Sequence, residues 1–133
     1  MSARRNISSG TPWEATVGYS RAVRVGNLIE VAGTTAVDAA GAVVGPDDPY
    51  LQARFVLEKI GHALNEAGAG FENVIRTRMF VTDVARWEEV GRAHGEVFHD
   101  IQPASTLVQV ASLVRADLLV EIEATAVVPE DFL

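Results

Sequence analysis

Residues 118–128 read LLVEIEATAVV, with Val120, Ile122, Ala124 and Ala126 alternating against Glu121, Glu123, Thr125 and Val127. A period of two predicts a strand with one core face. The same alternation predicts strands at Ala22–Val25 and Leu28–Thr34, split by Gly26 and Asn27 as in a hairpin, and further strands at Val74–Val81 and Ser105–Ala111. Between Pro49 and Ala67 the apolar positions 53, 56, 57, 60, 64 and 67 follow helical spacing. Asp47 or Asp48 can cap the start of that helix, and Gly68 stands where a left-handed C-terminal residue belongs. Asp83 can cap a second helix to about Phe98, with a stripe of Trp87, Val90, His94 and Val97. Residues 1–17, rich in Ser, Gly, Thr and Pro, read as an irregular lead-in.

The order β-β-α-β-α-β-β predicts an α+β two-layer sandwich of one domain over 1–133, with two helices on one face of a mixed sheet. The alternation assigns Ile29, Val31, Ile75, Met79, Val108, Val110, Val120, Ile122 and Ala124 to the core face. It leaves Leu28, Glu30, Ala32, Thr34, Arg76, Arg78, Phe80, Ser105, Leu107, Gln109, Leu119, Glu121, Glu123 and Val127 on the helix-free face. Apolar groups and charges of both signs are mixed there, which predicts cover by another subunit and a homo-oligomer.

Composition narrows the chemistry. A net charge of −7 and the absence of a basic stripe argue against nucleic-acid binding. With no cysteine, disulfides, thiolate catalysis and cysteine zinc sites are excluded, and the three histidines lack metal-motif spacing. Apolar runs are too short for a membrane helix, and no secretory signal is evident, so the expected compartment is the cytoplasm.

Individual residues leave alternatives. Glu121 and Glu123 either form a salt-bridge ladder with Arg76 and Arg78 or serve a ligand. Gly33 marks a close backbone approach or a bulge. Tyr19, beside Gly18, is a pocket wall or a turn anchor. His94 reads as a hydrogen-bonded interior residue, and Trp13 and Trp87 as packing residues.

The stretches GYSRAVRVGNLIEVAGTTA (18–36), VIRTRMFVTDVARWEEV (74–90) and PASTLVQVASLVRADLLVEIEATAVV (103–128) resemble the RidA/YjgF family of reactive-intermediate deaminases, in order and over nearly the whole chain. The resemblance implies a chorismate mutase-like fold, a homotrimer with ligand clefts between subunits, no metal or organic cofactor, and a small-molecule substrate. It implies hydrolysis of enamines or imines to 2-keto acids and ammonia. Matched residue by residue, Tyr19 falls on the family's pocket tyrosine, Gly33 on the glycine whose backbone meets substrate, and Glu121 on the acid that positions water. Glu123 falls on a second family acid. Ser105 and Leu107 stand where deaminating members carry an arginine that grips the substrate carboxylate and, in many, a cysteine. Losing such a charge-assisted contact costs about 1.5–3 kcal/mol, or one to two orders of magnitude in affinity. The resemblance with this departure implies a substrate other than 2-iminobutanoate, or a trimer that binds a metabolite without chemistry. Arg78 is the preferred replacement cation over Arg76 and Arg24, because it is expected to share a face with Glu121 and Ser105. A ribonuclease reading is opposed by the acidic charge and the absence of a histidine pair.

Overall fold

Asp48 accepts a hydrogen bond from the Leu51 amide at 3.0 Å, and Pro49 opens the long helix at the first turn, where its missing N–H costs nothing. The computed structural model describes residues 3–129 and places that helix at Pro49–Glu66. Every stripe position expected from the sequence, Ala53, Val56, Leu57, Ile60, Leu64 and Ala67, is buried. Gly68 follows in the left-handed conformation, at φ 87°. The outermost residues of the expected 1–133 domain, numbers 1, 2 and 130–133, lie outside the described residues.

The elements are β1 (Arg4–Ile7), α1 (Pro12–Val17), β2 (Ala22–Val25), β3 (Leu28–Thr35), α2 (Pro49–Glu66), β4 (Val74–Val81), α3 (Trp87–Phe98), β5 (Ala104–Gln109) and β6 (Val120–Val127), with 3-10 turns before β4 and α3. They form one six-stranded sheet in the order β1-β2-β3-β6-β4-β5. All neighbours are antiparallel except β4 and β5. The core lies between the sheet and α2 and α3, where Ile29, Val31, Ile122 and Ala124 meet Leu57, Ile60, Val90 and Phe98. The two-layer α+β expectation holds.

The lead-in is not irregular. Arg4–Ile7 pairs along β2, from Arg4 opposite Val25 to Ile7 opposite Ala22, and buries only Ile7, so its sequence carries no alternation to read. In α1, Glu14 accepts hydrogen bonds from Ser8 Oγ, the Ser9 amide and hydroxyl, and Thr11 Oγ1. Burial pushes its carboxyl up, but these donors outweigh that and hold it below the usual range.

Two irregularities and one register reassign faces. A shift in pairing between Val74 and Arg76 buries Val74 and turns Ile75 outward, 52% exposed. A shift between Val31 and Thr34 on β3 makes a bulge, which puts Thr34 inside rather than on the helix-free face. β5 runs parallel to β4 with Ser105 opposite Thr77 and Leu107 opposite Met79. Since Thr77 and Met79 are buried, Ser105 and Leu107 point to the helix side, and Thr106 and Val108 to the other. That is one residue out of phase with the expected β5, and a slip of one inverts every side chain of a strand. Trp13 and Trp87 are exposed rather than packed. No helix of the described residues is long and apolar enough to cross a membrane.

Candidate functional site

Glu121 sits on central strand β6 between Thr35 of β3 and Phe80 of β4. Its neighbour on the same face, Glu123, is paired with Arg78, Nη1 to Oε1 at 3.4 Å. Arg76 turns away and donates from Nη2 to Thr106 Oγ1 at 2.8 Å. Glu121 has no hydrogen bond or ion pair among the described residues. So the two acids divide: Glu123 belongs to the salt-bridge ladder, and Glu121 does not.

The reason Glu121 can lie down on the sheet is Gly33. In the β3 bulge the glycine offers no side chain, and the carboxylate occupies the space a Cβ would take: a Cβ built there would stand 3.0 Å from Glu121 Cδ and 3.3 Å from Cγ. Both alternatives for Gly33 are thus realised, the bulge and the close approach. Burial pushes the Glu121 carboxyl above the usual range; Arg21 pulls it down and Glu123 adds to the rise.

Arg21 is the residue that sequence reasoning missed. Its Nη2 donates to the Gly33 carbonyl at 3.0 Å, its guanidinium lies 5.6 Å from the centre of the Tyr19 ring, and its Nε is buried without a partner. β2 accompanies β3 only as far as Val31. Beyond that point the carbonyls of Gly33, Thr35 and Val37 each accept from a cationic side chain, Arg21 for the first and Lys59 Nζ, at 2.9 and 3.0 Å, for the other two, and Thr35 also accepts from the Val37 amide at 2.9 Å. Burial and then the nearby Arg21 push the Lys59 ammonium below its usual range, against a smaller pull from Asp38. The available signal is an arginine two residues after Tyr19, at a strand entrance, a further cation beside Arg24, Arg76 and Arg78.

Tyr19, Arg78 and Glu123 line a shallow cavity of ≈ 490 Å³ on the helix-free face, with Glu30 and Ala32. Arg78 shares that face with Glu121, but not with Ser105. On the helix side, exposed Ser105 holds its Oγ 2.8 Å from Thr77 Oγ1, which in turn lies 2.9 Å from His94 Nε2. His94 is the hydrogen-bonded, half-buried residue expected. Leu107 is partly buried against the core. Within one chain, then, Tyr19, Gly33, Arg78 and Glu121 are gathered about the helix-free face, while Ser105 and Leu107 face the opposite way on an edge strand.

The fold is a two-layer α+β sandwich whose central strand carries, on the helix-free face, an acid with no partner among the described residues. The chain belongs to the RidA/YjgF family. The family model described as Endoribonuclease L-PSP matches residues 10–128. A Mycobacterium tuberculosis crystal structure described as a member of the YjgF/YER057c/UK114 family is 47% identical, with a TM-score of 0.87 over 95% of this chain and 100% of that one. The mouse 2-iminobutanoate/2-iminopropanoate deaminase is 33% identical over 92% of this chain and 91% of its own. The 3-aminoacrylate deaminase RutC of Acinetobacter baylyi is 34% identical over 90% of this chain and 94% of its own.

Proposed function

We propose that this protein is a cytoplasmic homotrimer that hydrolyses a reactive imine or enamine of a small metabolite, in a cleft between subunits, on a substrate other than 2-iminobutanoate. The observation that carries the reading is Glu121: half-buried, without a partner among the described residues, seated on Gly33, and with its carboxyl raised by burial, which makes it a stronger base than an ordinary carboxylate. In the proposed reaction Glu121 takes a proton from water as the oxygen adds to the C=N carbon. The imine nitrogen gains a proton to give a carbinolamine. Protonated Glu121 then gives its proton to that nitrogen, the hydroxyl loses its own proton to the vacated carboxylate as C=O forms, and the C–N pair leaves with ammonia. The products are a carbonyl compound and ammonia, and an enamine enters the same path after protonation at carbon. Tyr19 walls the pocket, and the Gly33 backbone meets the ligand. Relatives named as deaminases, those of mouse and Acinetobacter baylyi among them, support this reaction class.

Ser105 and Glu121 point to opposite sides of one sheet, so a ligand touching both would have to take them from different chains. This supports the shared cleft, as do exposed Val25, Leu28 and Val108 on the helix-free face. The test is complementation. Glu121→Gln and Ser105→Asp variants, each inactive alone, are unfolded together and refolded as mixed trimers. Random assembly restores about a quarter of the clefts, since each needs one intact residue from either of two chains. Turnover is read by coupling to threonine dehydratase, which supplies 2-iminobutanoate, and to amino-acid oxidases that supply other imines. Recovery near that fraction supports the cleft; no recovery refutes it. A wild type that accelerates no imine or enamine, while sedimenting as a trimer that binds a metabolite, overturns the catalytic reading in favour of a binding protein.

A further inference from the structure

His94 of α3, Thr77 of β4 and Ser105 of β5 form an unbroken line of hydrogen bonds, 2.9 Å then 2.8 Å, from the half-buried layer beneath the sheet to an exposed hydroxyl on its edge. Thr77 is fully buried, and its single proton can serve only one of its two neighbours. The line therefore has two polarities. If His94 Nε2 accepts, Thr77 donates to it, Ser105 donates to Thr77, and the outer face of Ser105 offers only lone pairs. If His94 Nε2 carries a proton, Thr77 donates to Ser105 and the Ser105 proton is free to point outward. An imidazolium, with a proton on both nitrogens, permits only the second arrangement.

We propose that this line is an anion grip: the Ser105 hydroxyl donates to a ligand carboxylate, with Thr77 and His94 behind it as a polarised relay whose remote charge replaces a fixed guanidinium. The proposal rests on the reading of Ser105 as a ligand contact and extends it to two residues with no other role. Thr77 and His94 are positioning residues, since neither reaches the ligand. Hydrogen bonds in such a row reinforce one another away from bulk water. The surroundings of His94 are neutral: the ring of Phe98 on its own helix lies 4.6 Å away, Thr77 comes from β4, and no carboxylate or cation of α2, α3, β4 or β5 shifts its titration. Burial alone pushes its imidazole below the usual range, so the free protein holds it uncharged near neutrality. A bound carboxylate raises it again, and by linkage the carboxylate binds more tightly as pH falls.

The experiment titrates the wild-type protein with acetate, 2-ketobutyrate and phenylacetate, non-reacting carboxylates of different bulk, and with their methyl esters, and carries forward the acid that binds most tightly. Binding is followed by NMR at about pH 8 and about pH 6, either side of the ordinary histidine range. The expected result is preference for the acid over the ester, and affinity for the acid several-fold higher at the lower pH. Thr77→Val breaks the line and should weaken acid binding by roughly three- to tenfold while removing its pH dependence. His94→Gln, which keeps a donor but does not titrate, should retain binding at the higher pH and lose only the gain on acidification. Nitrogen shifts of His94 in the complex, which need no variant, should report a protonated Nε2. Acid binding that is absent in wild type, or identical in wild type and Thr77→Val at both pH values, would overturn the proposal, as would a His94 Nε2 that accepts in the complex. Glu121→Gln separates the two readings. If it loses turnover while Thr77→Val binds normally, the relay fails and the hydrolase stands; if it keeps turnover while Thr77→Val binds weakly, the reverse holds.

Discussion

Gly33→Ala adds one methyl and removes nothing, so its effects isolate the seat of Glu121. The backbone tolerates it: Gly33 is not among the glycines with positive φ, so alanine meets no left-handed strain. What does not tolerate it is the carboxylate, whose Cδ would lie 3.0 Å from the new methyl and whose Oε2 would lie closer. The oxygen must withdraw by about 1 Å to reach ordinary contact. It can do so by rotating its own side chain, because no hydrogen bond among the described residues holds it in place. The stability ledger is then small. A compatible Gly→Ala change gains about 0.4–1 kcal/mol through the unfolded chain, and an off-rotamer glutamate gives back about 0.5–1.5 kcal/mol. Catalysis has no such cushion, since a misplacement of about 1 Å in a reacting group costs about a hundredfold in rate.

The expected phenotype is therefore a protein with wild-type stability to within about 1 kcal/mol and turnover down by about two orders of magnitude. A substrate-independent assay runs beside the kinetics. Side-chain carboxyl NMR of Glu121 should show its titration moving down toward the ordinary 4.5, because the displaced carboxylate is better hydrated and desolvation is the largest cause of its rise. Unchanged turnover together with an unchanged Glu121 titration would refute the reasoning. So would a stability loss well beyond 1 kcal/mol, since that would place the cost in the backbone rather than the acid.

Three further outcomes are expected. Because the Glu121 carboxyl is raised in the fold, its destabilising contribution is absent below 4.5, where folded and unfolded chains are both protonated, and is fully present above the folded value. Glu121→Gln should accordingly match wild type in acid and exceed it in denaturant melts near neutrality, while wild-type kcat/KM climbs with pH through the same window. Gln52 is fully buried and ties α2 to two loops, donating to the Gly45 and Asp117 carbonyls at 3.2 and 3.0 Å and accepting from the Leu119 amide at 2.8 Å. Gln52→Leu orphans the Asp117 carbonyl and the Leu119 amide, while the Gly45 carbonyl keeps the Asp48 amide at 3.0 Å, and should cost about 3 kcal/mol and lower Tm by roughly 10 °C in thermal melts. Lys59→Met strips the Val37 carbonyl of its donor, leaves the Thr35 carbonyl with only the Val37 amide, and should cost about 2 kcal/mol by urea titration, with hydrogen exchange rising first at the distal end of β3.

The central strands and α2 were legible because burial there is periodic and unbroken: β6 alternates buried and half-buried along its length, and the α2 stripe is buried at every position. Faces were lost wherever a ladder slips. Nothing local in Val74 and Ile75 says which of two adjacent apolar residues turns inward, because the bulge that decides it is a property of pairing with β6. In β5 both Leu107 and Val108 are apolar, so either phase reads equally well; parallel pairing with buried Thr77 and Met79 selects the first. β1 and α1 were illegible for a different reason. They are held by partners elsewhere in the chain, β2 for one and the hydrogen bonds on Glu14 for the other, and bury little of themselves.

The phase of β5 changes what the candidate site can be. With Ser105 beside Glu121 on one face, a single chain would hold a complete pocket, and Arg78 would be its natural cation. With Ser105 on the helix side, Arg78 is committed to Glu123, and the guanidinium that acts on Glu121 is Arg21 at the far edge of the bulge. Arg21 and Glu121 approach Gly33 separately, one at its carbonyl and the other over its α-carbon, with no ion pair between them among the described residues. That leaves the acid free of the one contact that would lower it to an inert carboxylate. Arg21→Gln tests the balance: it should raise the Glu121 titration further, since the charge that pulls it down is gone, and shift the pH dependence of turnover upward by the same interval. A downward shift, or none, would mean that the bulge and not the charge balance sets the acid.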